Sequence, residues 1–259
     1  GKYTKPRYQS SIFAILFAAV VSMMIFFPLK AVYAHTFSGG ESSAFLALVK
    51  ILQADLSQVQ YNIASNATLA QAHASAVAEH FDANTTKELA ERNKLVANDL
   101  TTAISDLNQT AGTKPTPTQD AIKGKVDRIN SLLQEAVTVR VAKNQLTNST
   151  VKSQAVSDLV NETLERYREA YGIEEGKSTA VQNMIVNTAA YQSAQAIAAK
   201  AQEMFDEAKQ IAPQSAAITK VSNDLVQLKN DIDVKTSYDK VNAFVENTLN
   251  PDIKAAFKL

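Results

Sequence analysis

The residues of this sequence best suited to hold a metal are its three histidines, His35, His73 and His80. On one helix, His73 and His80 would share a face but lie about 10 Å apart along the axis. The i, i+4 spacing of helical zinc sites is missing. His35 would present an amine and an imidazole, a pair that suits copper, if the chain were cleaved after Ala34. The three histidines are therefore candidate copper ligands, and the alternative for them is a place on the surface or between helices.

No other pattern in the sequence predicts catalysis. The chain has no cysteine, which excludes disulfides, thiolate metal sites and a cysteine nucleophile. Glycine-rich phosphate loops, nucleophile elbows and paired-carboxylate motifs are also missing. Tyr167 and Tyr171, beside Arg166 and Arg168, fall on an apolar helical stripe, where we expect packing rather than ligand binding. We therefore predict no catalytic and no cofactor-binding residues, and a protein that is not an enzyme.

The charge balance argues against nucleic-acid binding. All 26 acidic residues but only 22 of the 26 basic residues lie from residue 41 onward, so this part carries a net charge of −4. A nucleic-acid-binding domain would instead cluster Lys and Arg on one face. The 46% of apolar residues is enough to build a hydrophobic core.

The N-terminal segment predicts a membrane anchor. The run Ser11–Leu29 holds no charge, and as a helix it is about 28 Å long, close to the hydrocarbon thickness of a bilayer. A signal peptide usually has a shorter apolar core. We therefore assign residues 11–30 to a transmembrane helix, and the alternative is a signal peptide over residues 1–34.

Charge and small residues add detail to this anchor. Three basic residues precede it, which places residues 1–10 in the cytoplasm and residues 35–259 outside the membrane. The protein is then a single-pass protein of the cell membrane, in contact with lipid. Small residues recur every four positions at Ala14, Ala18 and Ser22, a stripe that allows another membrane helix to pack closely.

The rest of the chain predicts an all-α fold. Apolar residues recur at spacings of three and four throughout, which indicates a bundle of seven to eight helices. The proline-containing stretch 111–119 predicts a linker inside this domain. We further expect a cap at Thr85, one long helix over residues 178–211 and a helix stop at Pro251.

A faint internal repeat suggests two related helical hairpins. Residues 78–82 (AEHFD) are echoed by residues 202–206 (QEMFD), and residues 98–100 (NDL) by residues 223–225 (NDL). The alternative is chance similarity between helices of similar composition.

Several strings resemble an exported all-helical protein family of ammonia-oxidising archaea. They are residues 35–49 (HTFSGGESSAFLALV), 69–74 (LAQAHA), 86–93 (TKELAERN), 168–173 (REAYGI), 190–196 (AYQSAQA), 211–213 (IAP) and the ending from Asn250 to Phe257. Together they run through the whole region after the anchor. Some members of the family end in a hydrophobic tail, which this chain lacks.

The resemblance implies a context rather than an activity. It suggests a non-catalytic accessory subunit of the archaeal ammonia monooxygenase, with integral membrane subunits as partners and the copper chemistry on those subunits. Two alternatives stay open from the residues. One is an extracytoplasmic binding protein, for example a copper carrier, and the other is a spacer protein of the cell envelope.

Overall fold

The computed structural model describes residues 42–177 and 184–259, and every regular element in these two ranges is helical. The helices are α1 (Ser42–Asn62), α2 (Ala67–His80), α3 (Ala83–Arg92), α4 (Lys94–Ala111), α5 (Gln119–Arg140), α6 (Lys143–Leu146), α7 (Ser149–Ala170), α8 (Thr188–Ile211), α9 (Ala216–Asp233), α10 (Tyr238–Phe244) and α11 (Asn250–Phe257). A π-helical turn, Val245–Leu249, joins α10 to α11. The all-α prediction is confirmed, and the described ranges hold more helical segments than predicted.

The predicted anchor lies outside the described residues. This holds for residues 11–30, for the small-residue stripe Ala14, Ala18 and Ser22, and for His35. Among the helices in the described ranges, none is long and apolar enough to cross a membrane. The anchor, its alternative as a signal peptide and the extracytoplasmic position of residues 35–259 stay predictions.

Helix α1 lies at the centre of the bundle. Every residue from Ser43 to Val49 is buried, so its first two turns are enclosed on all sides. It packs against α2, α5, α7 and α8. A helix in this position needs apolar residues around its whole circumference, which the segment SAFLALV supplies.

Helices α7 and α8 form the most extensive helix pair in the described part of the chain. They are antiparallel, because the end of α7 lies beside the start of α8 and Lys152 near the start of α7 pairs with Glu207 near the end of α8, at 3.1 Å. Lys50 of α1 reaches both Glu203 and Glu207 at 3.2 Å. Small buried residues on α8 let the neighbouring backbones approach closely; they are Ala194, Ala198, Ala201 and Ala208.

The predicted linker 111–119 spans the gap between α4 and α5. Helix α4 ends at Ala111 and α5 begins at Gln119, so the residues between them are not helical. The side chain of Thr118 accepts a hydrogen bond from the backbone N–H of Ala121 and thereby caps α5.

The helix predicted to begin with a cap at Thr85 is divided in two, and the cap at Thr85 is wrong. Asp82, not Thr85, is the N-cap of α3, because its carboxylate accepts the N–H of Thr85 at 2.8 Å. Asn93 then ends α3 and caps α4, with its side chain bonded to the N–H of Val96. An Asn side chain that satisfies a free N–H favours a new helix start over a continuous helix.

Two other predicted boundaries are wrong. The helix predicted from residue 178 begins at Thr188 with Asn187 as its cap, and residues 184–187 are not helical. Pro251 does not stop the last helix. It directly follows the π-helical turn Val245–Leu249, inside a backbone path that stays helical from Tyr238 to Phe257, and the wider π-turn accommodates the proline.

The internal repeat has only a partial counterpart in the structure. Residues 98–100 and 223–225 both lie inside helices, and Leu100 and Leu225 are both buried. Residues 78–82, however, cover the end of α2 and the turn after it, whereas residues 202–206 lie inside α8. The interpretation as two related hairpins stays a prediction.

The central position of α1 predicts a large difference between two identical substitutions. Leu52 on α1 is 1% exposed, and Leu95 on α4 is 69% exposed. Leu52→Ala should lower the free energy of unfolding by about 2–5 kcal/mol, because it leaves a cavity in the core. Leu95→Ala should change it by about 0.5 kcal/mol or less. Urea unfolding of both variants checks this, and equal effects would contradict the central position of α1.

Candidate functional site

Six polar side chains meet between α1, α2, α7 and α8, and we refer to them as the buried polar cluster. All are buried except His80, which is mostly buried. The members are Asp55 on α1, His73 and His80 on α2, Glu162 and Arg166 on α7, and Ser193 on α8. Since charged residues are rarely buried without partners, their contacts decide what the cluster does.

Asp55 is the acceptor at the centre of the cluster. Its Oδ1 atom accepts hydrogen bonds from Ser193 Oγ at 2.7 Å and from His73 Nδ1 at 3.0 Å. Its other oxygen, Oδ2, has no hydrogen-bond partner, although Arg166 Nη2 lies 3.8 Å away. One carboxylate oxygen therefore joins α1, α2 and α8, and the second is left for an electrostatic contact with α7.

An amide pair completes the surroundings of His73. Its Nε2 atom lies 2.9 Å from Gln192 Oε1. Gln192 and Asn62 exchange two hydrogen bonds, at 2.9 and 3.1 Å, and Asn62 also donates to the backbone oxygen of Gln58 at 2.8 Å. Both ring nitrogens of His73 are thus engaged inside the protein.

Ser193, His73 and Asp55 have the residue types of a hydrolase triad but not its geometry. In a triad, the carboxylate contacts one ring nitrogen and the serine contacts the other. Here Ser193 donates to the carboxylate itself, and its distance to the same Nδ1 atom of His73 is 3.4 Å. All three side chains are at most 2% exposed. A substrate has no access to the hydroxyl, so we read these contacts as helix packing.

Arg166 connects the two ends of the cluster. Its Nε atom donates to Glu162 Oε1 at 2.8 Å, one turn earlier on α7. Its Nη2 atom donates to His80 Nε2 at 2.7 Å, while His80 Nδ1 donates to the backbone oxygen of Ala76 at 2.7 Å. His80 therefore carries its proton on Nδ1 and accepts with Nε2. Glu162 Oε1 lies 3.7 Å from the same Nε2 atom.

The charges in the cluster support one another. Burial alone would raise the pKa of Asp55, but the hydrogen bond from His73 and the charge of Arg166 hold it below its ordinary value. Burial likewise opposes ionisation of Glu162, yet His80 and Arg166 lower its pKa to about 2. Burial would lower the pKa of Arg166, and Asp55 and Glu162 raise it instead. Asp55 and Glu162 are therefore carboxylates at neutral pH, and Arg166 is their shared cation.

The structure places two of the three candidate copper ligands in this cluster without bringing them to one point. His73 is bonded to Asp55 and Gln192, whereas His80 is bonded to Arg166 and Ala76. Within the described residues, no group of three or more His, Asp and Glu side chains is arranged to hold a metal ion. His35 lies outside them, so a copper site that includes it stays a prediction.

The expectation that Tyr167 and Tyr171 pack in the core agrees with their burial. The two rings meet edge to face at 5.2 Å, and their hydroxyls lie 3.2 Å apart. Tyr167 also donates to the backbone oxygen of Thr236. The hydroxyls thus connect the end of α7 to the turn after α9.

Sequence reasoning missed Asp55, Glu162 and Ser193 and treated Arg166 only as a neighbour of the tyrosines. A signal was present, because polar residues occupy apolar register positions. On α1 the inward series with spacings of three and four is Leu48, Leu52, Asp55, Val59 and Asn62. A polar residue in such a series needs a buried partner, and a search for these positions on each helix would have found the cluster.

Comparisons with known proteins add no relative. No family model, curated protein or solved structure matches this chain. The resemblance to the exported archaeal family therefore rests on the strings quoted above.

Loss of the shared cation predicts a large loss of stability. Arg166→Met keeps an unbranched apolar stem but leaves Asp55 and Glu162 buried without a guanidinium. We expect the free energy of unfolding to fall by about 3–5 kcal/mol, since breaking a buried ion pair strands its partners. Urea unfolding at pH 7 measures this.

Two further variants make that test specific. Arg128→Met removes an exposed arginine and should cost about 0.5 kcal/mol or less. The triple variant Asp55→Asn, Glu162→Gln, Arg166→Met removes all three charges and should recover much of the lost stability. An Arg166→Met protein as stable as Arg128→Met would contradict a role of Arg166 as the shared cation.

Proposed function

We propose that this protein is a non-catalytic, membrane-anchored accessory subunit of a membrane enzyme complex. The resemblance to exported helical proteins of ammonia-oxidising archaea makes ammonia monooxygenase the proposed complex. In this proposal, residues 11–30 hold the protein in the membrane. The helical body then binds integral membrane subunits outside the cytoplasm, and the partners carry out the chemistry.

The observation that carries the proposal is a set of exposed apolar side chains at one end of the bundle. We call it the apolar end, and it consists of Tyr61, Met184, Val186 and Val234, which are 63–73% exposed. Single exposed apolar residues are ordinary, but several at one place are typical of protein interaction sites.

Backbone and side-chain contacts bring these four residues to the same end. Tyr61 precedes Asn62, which bonds to Gln192 near the start of α8. The N–H of Val186 donates to the oxygen of Ala170 at the end of α7, at 2.8 Å. Val234 follows α9, whose last turn accepts a hydrogen bond from Tyr191 on α8. The ends of α1, α7 and α9 therefore meet the start of α8.

The buried polar cluster supports the same proposal. Its side chains are the best candidates for chemistry in the described part of the chain, and they bond to one another across four helices. Their arrangement serves a rigid body with a fixed outer surface. A rigid surface with an apolar end suits a subunit that docks on others.

Replacement of the apolar end by serine should release the partners. We expect the wild-type protein to co-purify with integral membrane proteins after extraction of native membranes in mild detergent. A variant with four substitutions should co-purify with at most about one tenth of the membrane protein that the wild type retains, because apolar contacts at the centre of an interface dominate its affinity. The substitutions are Tyr61→Ser, Met184→Ser, Val186→Ser and Val234→Ser.

The matched control replaces exposed apolar residues elsewhere. Leu95→Ser with Val226→Ser changes side chains that are 69% and 47% exposed but not part of the apolar end. This variant should retain the partners, which mass spectrometry of native gel bands identifies. A wild-type protein that elutes alone would overturn the proposed function. Full retention by the fourfold variant would overturn the apolar end as its docking surface.

A further inference from the structure

Arg166 and Asp55 form an incomplete contact in the centre of the protein. Asp55 Oδ2 is buried and accepts no hydrogen bond, and the nearest cationic nitrogen, Arg166 Nη2, is 3.8 Å away. This nitrogen is instead 2.7 Å from His80 Nε2, to which it donates. An unsatisfied buried carboxylate oxygen normally costs free energy. A competing hydrogen bond, from Arg166 Nη2 to His80, therefore keeps Nη2 away from Asp55 Oδ2.

The competing bond exists only while His80 is neutral. A ring nitrogen accepts a hydrogen bond when it carries no proton, and a protonated imidazole donates from both nitrogens. His80 Nδ1 already donates to Ala76, so the next proton must bind at Nε2. That proton would point at the N–H of Arg166, and two donors cannot share one bond.

We propose that protonation of His80 moves Nη2 of Arg166 from His80 to the free Oδ2 atom of Asp55. The new Nε2–H of His80 then donates to Glu162 Oε1, which already lies 3.7 Å away. Arg166 keeps its bond from Nε to Glu162 during this exchange. The protonated form therefore gains a direct hydrogen bond between α7 and α1 and keeps α2 bonded to α7.

The charged groups around His80 favour this direction. From α7 it faces Arg166 and Glu162, with Glu169 beside Arg166, and from α1 it faces Asp55. On α2 itself, Glu79 is adjacent in sequence and His73 lies two turns earlier. The contacts that α4 and α8 make to α2 come from the neutral side chains Asn108, Gln192 and Ser193.

Burial lowers the pKa of His80, but Glu162 and Asp55 outweigh burial and the charge of Arg166, so the pKa is raised overall. Because the folded pKa is raised, the stabilisation is complete below the unfolded pKa, about 6.5. It is lost as pH rises through the higher folded value. His80 thus contributes more to the free energy of unfolding at pH 6 than at pH 9.

Nitrogen NMR of the full chain, labelled at histidine and arginine, tests the exchange. Between pH 5.5 and 9.5 we expect His80 Nε2 to titrate with a midpoint above 6.5, and the guanidinium signals of Arg166 to shift with the same midpoint. Arg128 serves as an internal control, because its guanidinium is exposed and contacts no histidine in the described residues.

Two variants decide whether the movement ends at Asp55. In Asp55→Asn, His80 should still titrate. The change in the Arg166 guanidinium signals that a new hydrogen bond to a carboxylate causes should disappear. In His80→Gln, the Arg166 signals should not change with pH, and the difference in urea midpoint between pH 6 and 9 should shrink. If Asp55→Asn does not fold, the His80→Gln measurements decide alone.

Three results would overturn the proposal. One is a titration of His80 without any change at Arg166. Another is an Arg166 response that persists in His80→Gln. The third is a His80 ring that keeps one protonation state through the whole range. None of these results bears on docking at the apolar end, which the co-purification experiment tests separately.

Discussion

Asp55 and Glu162 bring two carboxylates into the interior of a helical bundle, and the fold depends on the guanidinium that they share. Arg166 contacts both, from a helix different from that of Asp55 and one turn after Glu162. Removing a carboxylate from water costs about several kcal/mol even after relaxation, so Asp55 and Glu162 stay ionised through this cation together with their contacts to His73 and His80. The cation therefore fixes the register of α7 against α1.

The remaining contacts follow from that register. With Asp55 ionised, its Oδ1 atom orients His73 and Ser193, which ties α2 and α8 to the central helix. Apolar contacts around α1 provide most of the burial, but they are less directional than hydrogen bonds. The hydrogen bonds of the buried polar cluster fix how the helices are oriented against one another. The outer surface of the helical body is therefore well defined. That property suits the proposed role as a docking subunit, in which position matters more than chemistry.

The fold was predictable to the extent that it depends on local signals. Apolar periodicity located α1, α2, α5 and α7, and the prolines of residues 111–119 located the linker. Boundaries failed where one side chain decides, as at Asn93, where a capping bond starts a new helix in the middle of a helical pattern. Pro251 was misjudged because a π-helical turn directly before it accommodates the proline, and a sequence pattern gives no sign of such a turn.

The candidate site was predictable only in part. The chain has only three histidines, and histidine is a common metal ligand. His73 and His80 were therefore predicted as metal ligands. Their hydrogen-bond partners include residues 55, 166 and 192, and such distances along the chain leave no spacing pattern. Asp55 is a charged residue on an apolar stripe, and this signal went unused. Pairing it with Arg166 required the packing of α1 against α7, which one sequence does not specify.

The most direct test of the central claim is the ionisation of Glu162 in the folded protein. The carboxyl carbon shift of Glu162, followed by NMR from pH 6 to pH 3, reports its charge without any substitution. Since Arg166 and His80 hold its pKa at about 2 against burial, we predict no complete titration step in this range. A full step near the ordinary glutamate value, about 4.3, would mean that Glu162 is not held by the buried cation and would contradict the account.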